Sequence, residues 1–171
     1  RPATRTLIVF TASLGAFLLY LLCERVRLER ARRRVPRRIA VTGTRGKSGV
    51  TRLVAAGLRA SGARVLAKTT GSKPMLILPD GSERVIARAG GASIREQVRL
   101  VALAAELGAD TLVAEMMSIG PECLRAESRR ILLPGTLAVT NVRLDHLDDM
   151  GRDRAAVART LASAVPDGAN V

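Results

Sequence analysis

RIAVTGTRGKSGVTRLVAAG, Arg38 to Gly57, passes from a short apolar stretch through a glycine-rich turn into a segment with apolar residues at helical spacing. Strand, loop and helix in that order make the G-T-R-G-K-S turn, Gly43 to Ser48, a phosphate-binding loop candidate. Its glycines let the backbone wrap phosphate oxygens, the helix start aims N–H groups at them, and Lys47 neutralises charge. A full Walker A loop also has a glycine five residues ahead of the one preceding lysine. Here that position is Val41.

Outward from this loop the chain alternates. ARVLAKTTG supplies a second strand ending near Lys68 and Thr69, and MLILPDGSERVIA reads as a hairpin turning at Asp80 and Gly81. A helix is expected over about 93–107, a buried strand over 111–116, a short helix over about 121–130, a strand over 135–141 and a last helix over about 153–164. This is the pattern of an α/β fold, a mostly parallel sheet flanked by helices, whose ligands sit outside the carboxyl ends of the strands. Gly43 to Ser48, Lys68 to Thr70, Glu115, and Asn141 to His146 all fall at such ends. PDGANV, 166–171, reads as the start of a further strand, so the chain is expected to be part of a longer protein.

Ahead of the loop, Leu7 to Cys23 is an uncharged run of 17 residues, at the short end of the roughly 17 to 25 that cross a bilayer as a helix. A buried helix or a signal-peptide core is the alternative, but the run exceeds a usual signal core and lacks an A-x-A cleavage site. Two arginines precede it and eight come after it within the first 38 residues. The positive-inside rule then places the domain C-terminal to the run on the cytoplasmic side of the membrane, with Tyr20 near one interface. The expected organisation is a transmembrane anchor over 1–23, a basic juxtamembrane helix over 24–37 that meets lipid headgroups and is broken by Pro36, and a nucleotide-binding domain over 38–171.

Composition narrows the function. With 171 residues, 47% hydrophobic and 25% charged, the chain can bury a proper core. Most of the net charge of +13 lies in the first 38 residues, and only three of the 28 basic residues are lysines. Phe10, Phe17 and Tyr20 are the only aromatic residues, which disfavours single-strand nucleic-acid binding by base stacking. Cys23 and Cys123 form neither a C-x-x-C pair nor a disulfide framework, in keeping with a reduced compartment.

Two further groups carry chemistry. Glu115 ends an apolar strand and is costly to bury without a partner; a metal beside the phosphates, a helix N-terminus or an arginine would supply one. His146 is the only histidine in the chain. A lone histidine is commonly a surface or core residue, yet NVRLDHLDDMG gathers Asp145, His146, Asp148 and Asp149 after a buried strand.

The loop without its outer glycine, the strand-end glutamate, and N-x-x-x-D-H resemble the ATP-binding domain of the Mur ligase and folylpolyglutamate synthase superfamily. VTGTRGKSGVTRLVAAGLRASGARVLAKTTG, the ILPDG turn and TNVRLDHLDDMG, behind an apolar N-terminal segment, resemble the ligase subunits of bacterial poly-γ-glutamate synthase (the PgsB/CapB family). The resemblance implies an ATP- and Mg²⁺-dependent carboxylate–amine ligase that lengthens poly-γ-glutamate through a γ-glutamyl phosphate, with small membrane subunits as partners. By the same resemblance Gly43, Thr44, Arg45, Gly46, Lys47 and Ser48 with Asn141 and Asp145 would hold the nucleotide. Lys47, Glu115 and His146 would be catalytic, Ser48, Glu115 and His146 the metal ligands, and Thr69 and Thr70 substrate-side candidates. Many Mur ligases carry a carbamylated lysine after the histidine, and this chain has no lysine beyond Lys73. The competing expectations are another Mur-type ligase, such as a folylpolyglutamate or cyanophycin synthetase relative, and a membrane-anchored P-loop NTPase that ligates nothing.

Overall fold

The computed structural model describes residues 2–88 and 90–171; Arg1, one of the two arginines ahead of the apolar run, lies outside them. Six strands form one sheet in the order β4-β3-β2-β5-β1-β6. They are β1 (Arg37–Thr42), β2 (Val65–Lys68), β3 (Met75–Ile77), β4 (Glu83–Val85), β5 (Thr111–Glu115) and β6 (Thr136–Val139). β1, β2, β5 and β6 run parallel, and β3 and β4 form the antiparallel hairpin edge with its turn at Asp80 and Gly81.

The connection from β1 to β2 runs one way along the sheet and that from β5 to β6 the other, so a topological switch point lies between β1 and β5. Parallel register sets Val41 beside Glu115 and Lys68 beside Ala114, with neighbouring strands about 4.8 Å apart. Four strand ends therefore open onto one side of the sheet.

Helix α2 (Lys47–Ala60) covers one face, where Val41, Ala55, Val65, Ala67, Ile77 and Val113 form an apolar cluster. Helix α3 (Arg95–Glu106), α4 (Pro121–Arg125) and the π-helical turn Ala126–Leu132 cover the other. There Leu66, Leu100, Val101, Leu112, Leu124 and Leu137 belong to the larger cluster. In the π turn the Leu133 N–H reaches back five residues to the Ser128 carbonyl at 2.7 Å, and Leu133 closes it in the left-handed region with φ 43°. Two more helices, α5 (Leu147–Met150) and α6 (Arg154–Ala162), complete the fold, Asp153 capping α6 through the Ala156 N–H at 2.7 Å. Beyond α6 the Asn170 backbone pairs with Gly135 and Leu137 alongside β6, as a strand starting there requires.

At the N-terminus, helix α1 (Pro2–Arg34) is continuous through both segments that the sequence separates into anchor and juxtamembrane helix. Among the described residues it is the one helix long and apolar enough to cross a membrane, and its apolar window is entirely unburied by the rest of the chain. Its C-terminal part docks onto the domain: Ala31 and Val35 join the larger core, and Leu28 packs against it. Not all basic side chains here face outward as the sequence suggests. Arg32 donates to the Arg130 carbonyl at 2.5 Å, and Arg38 donates to the carbonyls of Leu132 at 2.9 Å, Leu133 at 3.1 Å and Val35 at 2.6 Å. These guanidiniums tie α1 and β1 to the end of the π turn, whose last carbonyls have no helical partner.

Candidate active site

The loop between β1 and α2 is shaped by its glycines. Gly43 has φ 125°, and a Cβ there would lie 2.2 Å from Thr140 Oγ1. Gly46, with φ 80°, is the residue from which α2 departs. Both conformations are open to glycine at little cost. Lys47 Nζ turns inward and donates to the carbonyls of Gly43 at 2.8 Å and Thr44 at 3.4 Å.

A clamp from the end of β6 grips the outer side of the loop. The Asn141 carboxamide oxygen accepts from Thr44 Oγ1 at 2.6 Å and Arg45 N–H at 3.2 Å, while its nitrogen donates to the Arg45 carbonyl at 2.8 Å. Thr140 Oγ1 also donates to that carbonyl, at 2.7 Å. Arg45 Nε pairs with Asp145 at 3.3 Å, and Asp145 accepts the His146 N–H at 3.1 Å.

On the inner side, Glu115 is 3% exposed. Its Oε2 accepts from Ser48 Oγ and from the Thr70 N–H, each at 2.7 Å. The partner that burial demands is thus a hydroxyl and an amide, not the arginine or helix N-terminus the sequence also allowed. Thr70 contributes its backbone. Thr69 is buried and spends itself on Met75, donating its N–H to the Met75 carbonyl at 2.9 Å and accepting the Met75 N–H on Oγ1 at 3.2 Å.

Gly43, Lys47, Thr70, Glu115 and His146 line one cavity of about 280 Å³. His146 is exposed, with φ 48°, at the start of α5. Asp148 and Asp149 are exposed on α5 and do not line this cavity. Among the described residues no cluster of three or more His, Cys, Asp or Glu side chains could hold a metal alone. A hydroxyl and a carboxylate 2.7 Å apart beside a phosphate loop nevertheless fit Mg²⁺, which takes few protein oxygens and completes its shell with phosphate and water.

Three residues at this site carry no readable sequence signal. Arg88 lines the cavity from the loop after β4. Glu127, fully buried in the π turn, accepts from the Met117 N–H at 3.0 Å and the Ser118 N–H at 2.9 Å. Gln97, fully buried on α3, donates to the Glu115 carbonyl at 3.1 Å and to Glu127 at 2.5 Å. Together Glu127 and Gln97 fix the backbone just beyond the strand-end glutamate.

Residues 41–163 match the Mur ligase middle domain. The capsule biosynthesis protein CapB of Bacillus anthracis is 31% identical over 134 residues, 77% of this chain and 29% of that protein. PGA synthase CapB of Bacillus subtilis strain 168 is likewise 31% identical over 134 residues, 77% of this chain and 34% of that protein. The chain therefore spans only 29% and 34% of the lengths of these relatives. Solved structures with a similar fold include the two that follow. E. coli FolC in complex with DHPP and ADP has TM-score 0.54 and 22% identity, covering 82% of this chain and 37% of that one. A bifunctional folylpolyglutamate synthase/dihydrofolate synthase from Yersinia pestis CO92 has TM-score 0.55 and 21% identity, covering 91% and 45%.

Proposed function

Because this chain belongs to the Mur ligase family through its middle domain, we propose that it supplies the ATP-binding part of an ATP-dependent, ADP-forming carboxylate–amine ligase that extends poly-γ-glutamate. The observation that carries the reading is the Ser48–Glu115 contact at the sheet's switch point, with Glu115 and Lys47 lining one cavity. The CapB relatives support capsule polymer or PGA synthesis over other Mur-type chemistry. α1, unburied along its apolar length, supports a single-pass membrane anchor with the domain in the cytoplasm.

The chemistry is governed by charge. A γ-carboxylate oxygen attacks the γ-phosphorus of ATP, the bond to the β-phosphate oxygen breaks, and ADP leaves. The acyl phosphate is then attacked by an amine, which loses a proton as phosphate departs. Phosphoryl transfer asks the protein mainly for positioning and charge neutralisation. The α2 N-terminus and the loop amides cradle the β- and γ-phosphates, and Lys47 exchanges its two carbonyl contacts for phosphate oxygens. Ser48 and Glu115 would hold Mg²⁺, which supplies neutralisation of the β- and γ-oxygens. Asn141 and Asp145 keep the loop shaped through Thr44 and Arg45. His146, which lines the same cavity, would hold or position a second cation. Glutamate, the growing polymer, lipid and small membrane subunits are the partners of this reading.

Hydroxylamine tests it. With ATP, glutamate and the full-length ligase, an acyl phosphate is trapped as γ-glutamyl hydroxamate, and Lys47→Ala prevents its formation. ATP hydrolysis without hydroxamate under any amine acceptor would favour a P-loop NTPase that ligates nothing.

A further inference from the structure

A second cavity, of about 340 Å³, lies beside the phosphate cavity, and Arg88 lines both. Its charged lining is Lys68, Arg88, Arg95 and Arg99 against a single carboxylate, Glu96. Its floor is apolar: Leu76, Ile86, Leu100 and Leu103. None of these residues belongs to the nucleotide-binding loop or to its clamp.

The cationic wall is built in advance. Glu96 receives Arg88 through two hydrogen bonds, Nε to Oε1 at 2.7 Å and Nη2 to Oε2 at 2.9 Å. Its Oε2 also pairs at 3.0 Å with Lys68 Nζ, a side chain 1% exposed. One carboxylate thus orients two cations, and a paired guanidinium fork loses little freedom on meeting a further anion. Glu127, a fully buried carboxylate, is turned toward Gln97 and the backbone of Met117 and Ser118. Arg95 adds a contact at 3.5 Å with Glu24 of α1.

We propose that this second cavity is the subsite for the acceptor chain, a run of γ-linked glutamates, with Arg88 holding the carboxylate nearest the transferred phosphoryl group. Each residue of such a chain presents one α-carboxylate on a methylene-bearing backbone. The cationic rim takes the carboxylates, and the apolar floor takes the methylenes. Arg88 registers the chain end against Lys47 and Glu115 because it borders both cavities. The inference rests on the ligase reading and adds where its polymer lies.

The test is binding, so that it stands apart from turnover. Dye-labelled penta-γ-glutamate is titrated by fluorescence anisotropy with the purified full-length protein in ADP and Mg²⁺. Arg99→Gln should weaken binding about tenfold, the scale of one lost charge-assisted contact, and Arg95→Gln should add to the loss, while labelled ADP binds as before and both variants melt like the parent. In turnover, Arg99→Gln should raise KM for the oligomer and leave KM for ATP unchanged. Equal oligomer affinity in folded variants would overturn the subsite, as would no binding by the parent protein or tighter binding of an aromatic monoglutamate. Oligomer binding without ligation would sink the ligase reading and leave the subsite standing; ligation with variant-insensitive KM would do the reverse.

Discussion

Ser48 Oγ and Glu115 Oε2, 67 positions apart in the chain, meet at 2.7 Å. One stands just after the phosphate loop on α2 and the other closes β5, and parallel pairing of β1 with β5 brings them together. The contact converts two unrelated sequence features into one oxygen-rich corner beside Lys47. On the proposed reading, turnover, magnesium dependence and local stability should all depend on that corner and on the residues that hold it.

Lys47→Ala should reduce ATP turnover by at least about a hundredfold, the scale of removing one electrostatic stabiliser of a transition state. Membrane association through α1 should be untouched. Turnover in isolated membranes, set against protein recovered by membrane flotation, separates the two.

Glu115→Gln should shift the magnesium dependence of turnover to higher concentration. Glu115→Ala should also destabilise the fold by about 1–3 kcal/mol, because the Thr70 N–H and Ser48 hydroxyl lose a charged acceptor in a buried site. A magnesium titration with a urea melt checks both. An unchanged magnesium profile in Glu115→Gln would remove Glu115 from the metal role.

Gly43→Ala should cost at least about 1–3 kcal/mol, since φ 125° is strained for any side chain. Its Cβ would also stand 2.2 Å from Thr140 Oγ1 and 3.0 Å from Thr140 N. Thr140→Ala should therefore not rescue it, because the backbone contact and the dihedral remain. Denaturant midpoints of the single and double variants decide the point.

Burial alone would raise the Glu96 carboxyl, but hydrogen bonds from Arg88 and Lys68, with their charges, hold it at about 2 against an ordinary 4.5. A carboxyl whose folded pKa is depressed contributes stability above its unfolded pKa and loses it as pH falls. Glu96 should therefore stabilise the domain fully above about pH 4.5 and lose that contribution between there and about pH 2. Glu96→Gln should melt lower than the parent at neutral pH and show a flatter acid limb.

The sequence was most informative where residue type and backbone need coincide. Gly43 and Gly46 sit where φ is positive, Lys47 and Ser48 open a helix, and Glu115 ends a fully buried strand. Such local requirements leave marks that spacing can reveal. The hairpin at Asp80 and Gly81 was legible for the same reason.

Other features depend on contacts distant in sequence. The arginines of 24–37 read as a juxtamembrane helix meeting lipid headgroups and Arg38 as the start of a strand, yet Arg32 and Arg38 reach backbone carbonyls roughly a hundred positions away. Glu127 falls in the segment that reads as a short helix over about 121–130, and the π turn carries it to the backbone just beyond β5. Arg88 falls in an aperiodic loop, so nothing local marks it for the cavity wall. Thr69 looked like a strand-end polar residue available to substrate, and the hairpin partner Met75 takes it instead.

The most direct test is ADP and phosphate release by membranes carrying the full-length protein and the small membrane subunits proposed as its partners, with and without glutamate. Release should require glutamate, match the amide bonds formed, and vanish in Lys47→Ala. Equal release without glutamate would contradict the ligase reading.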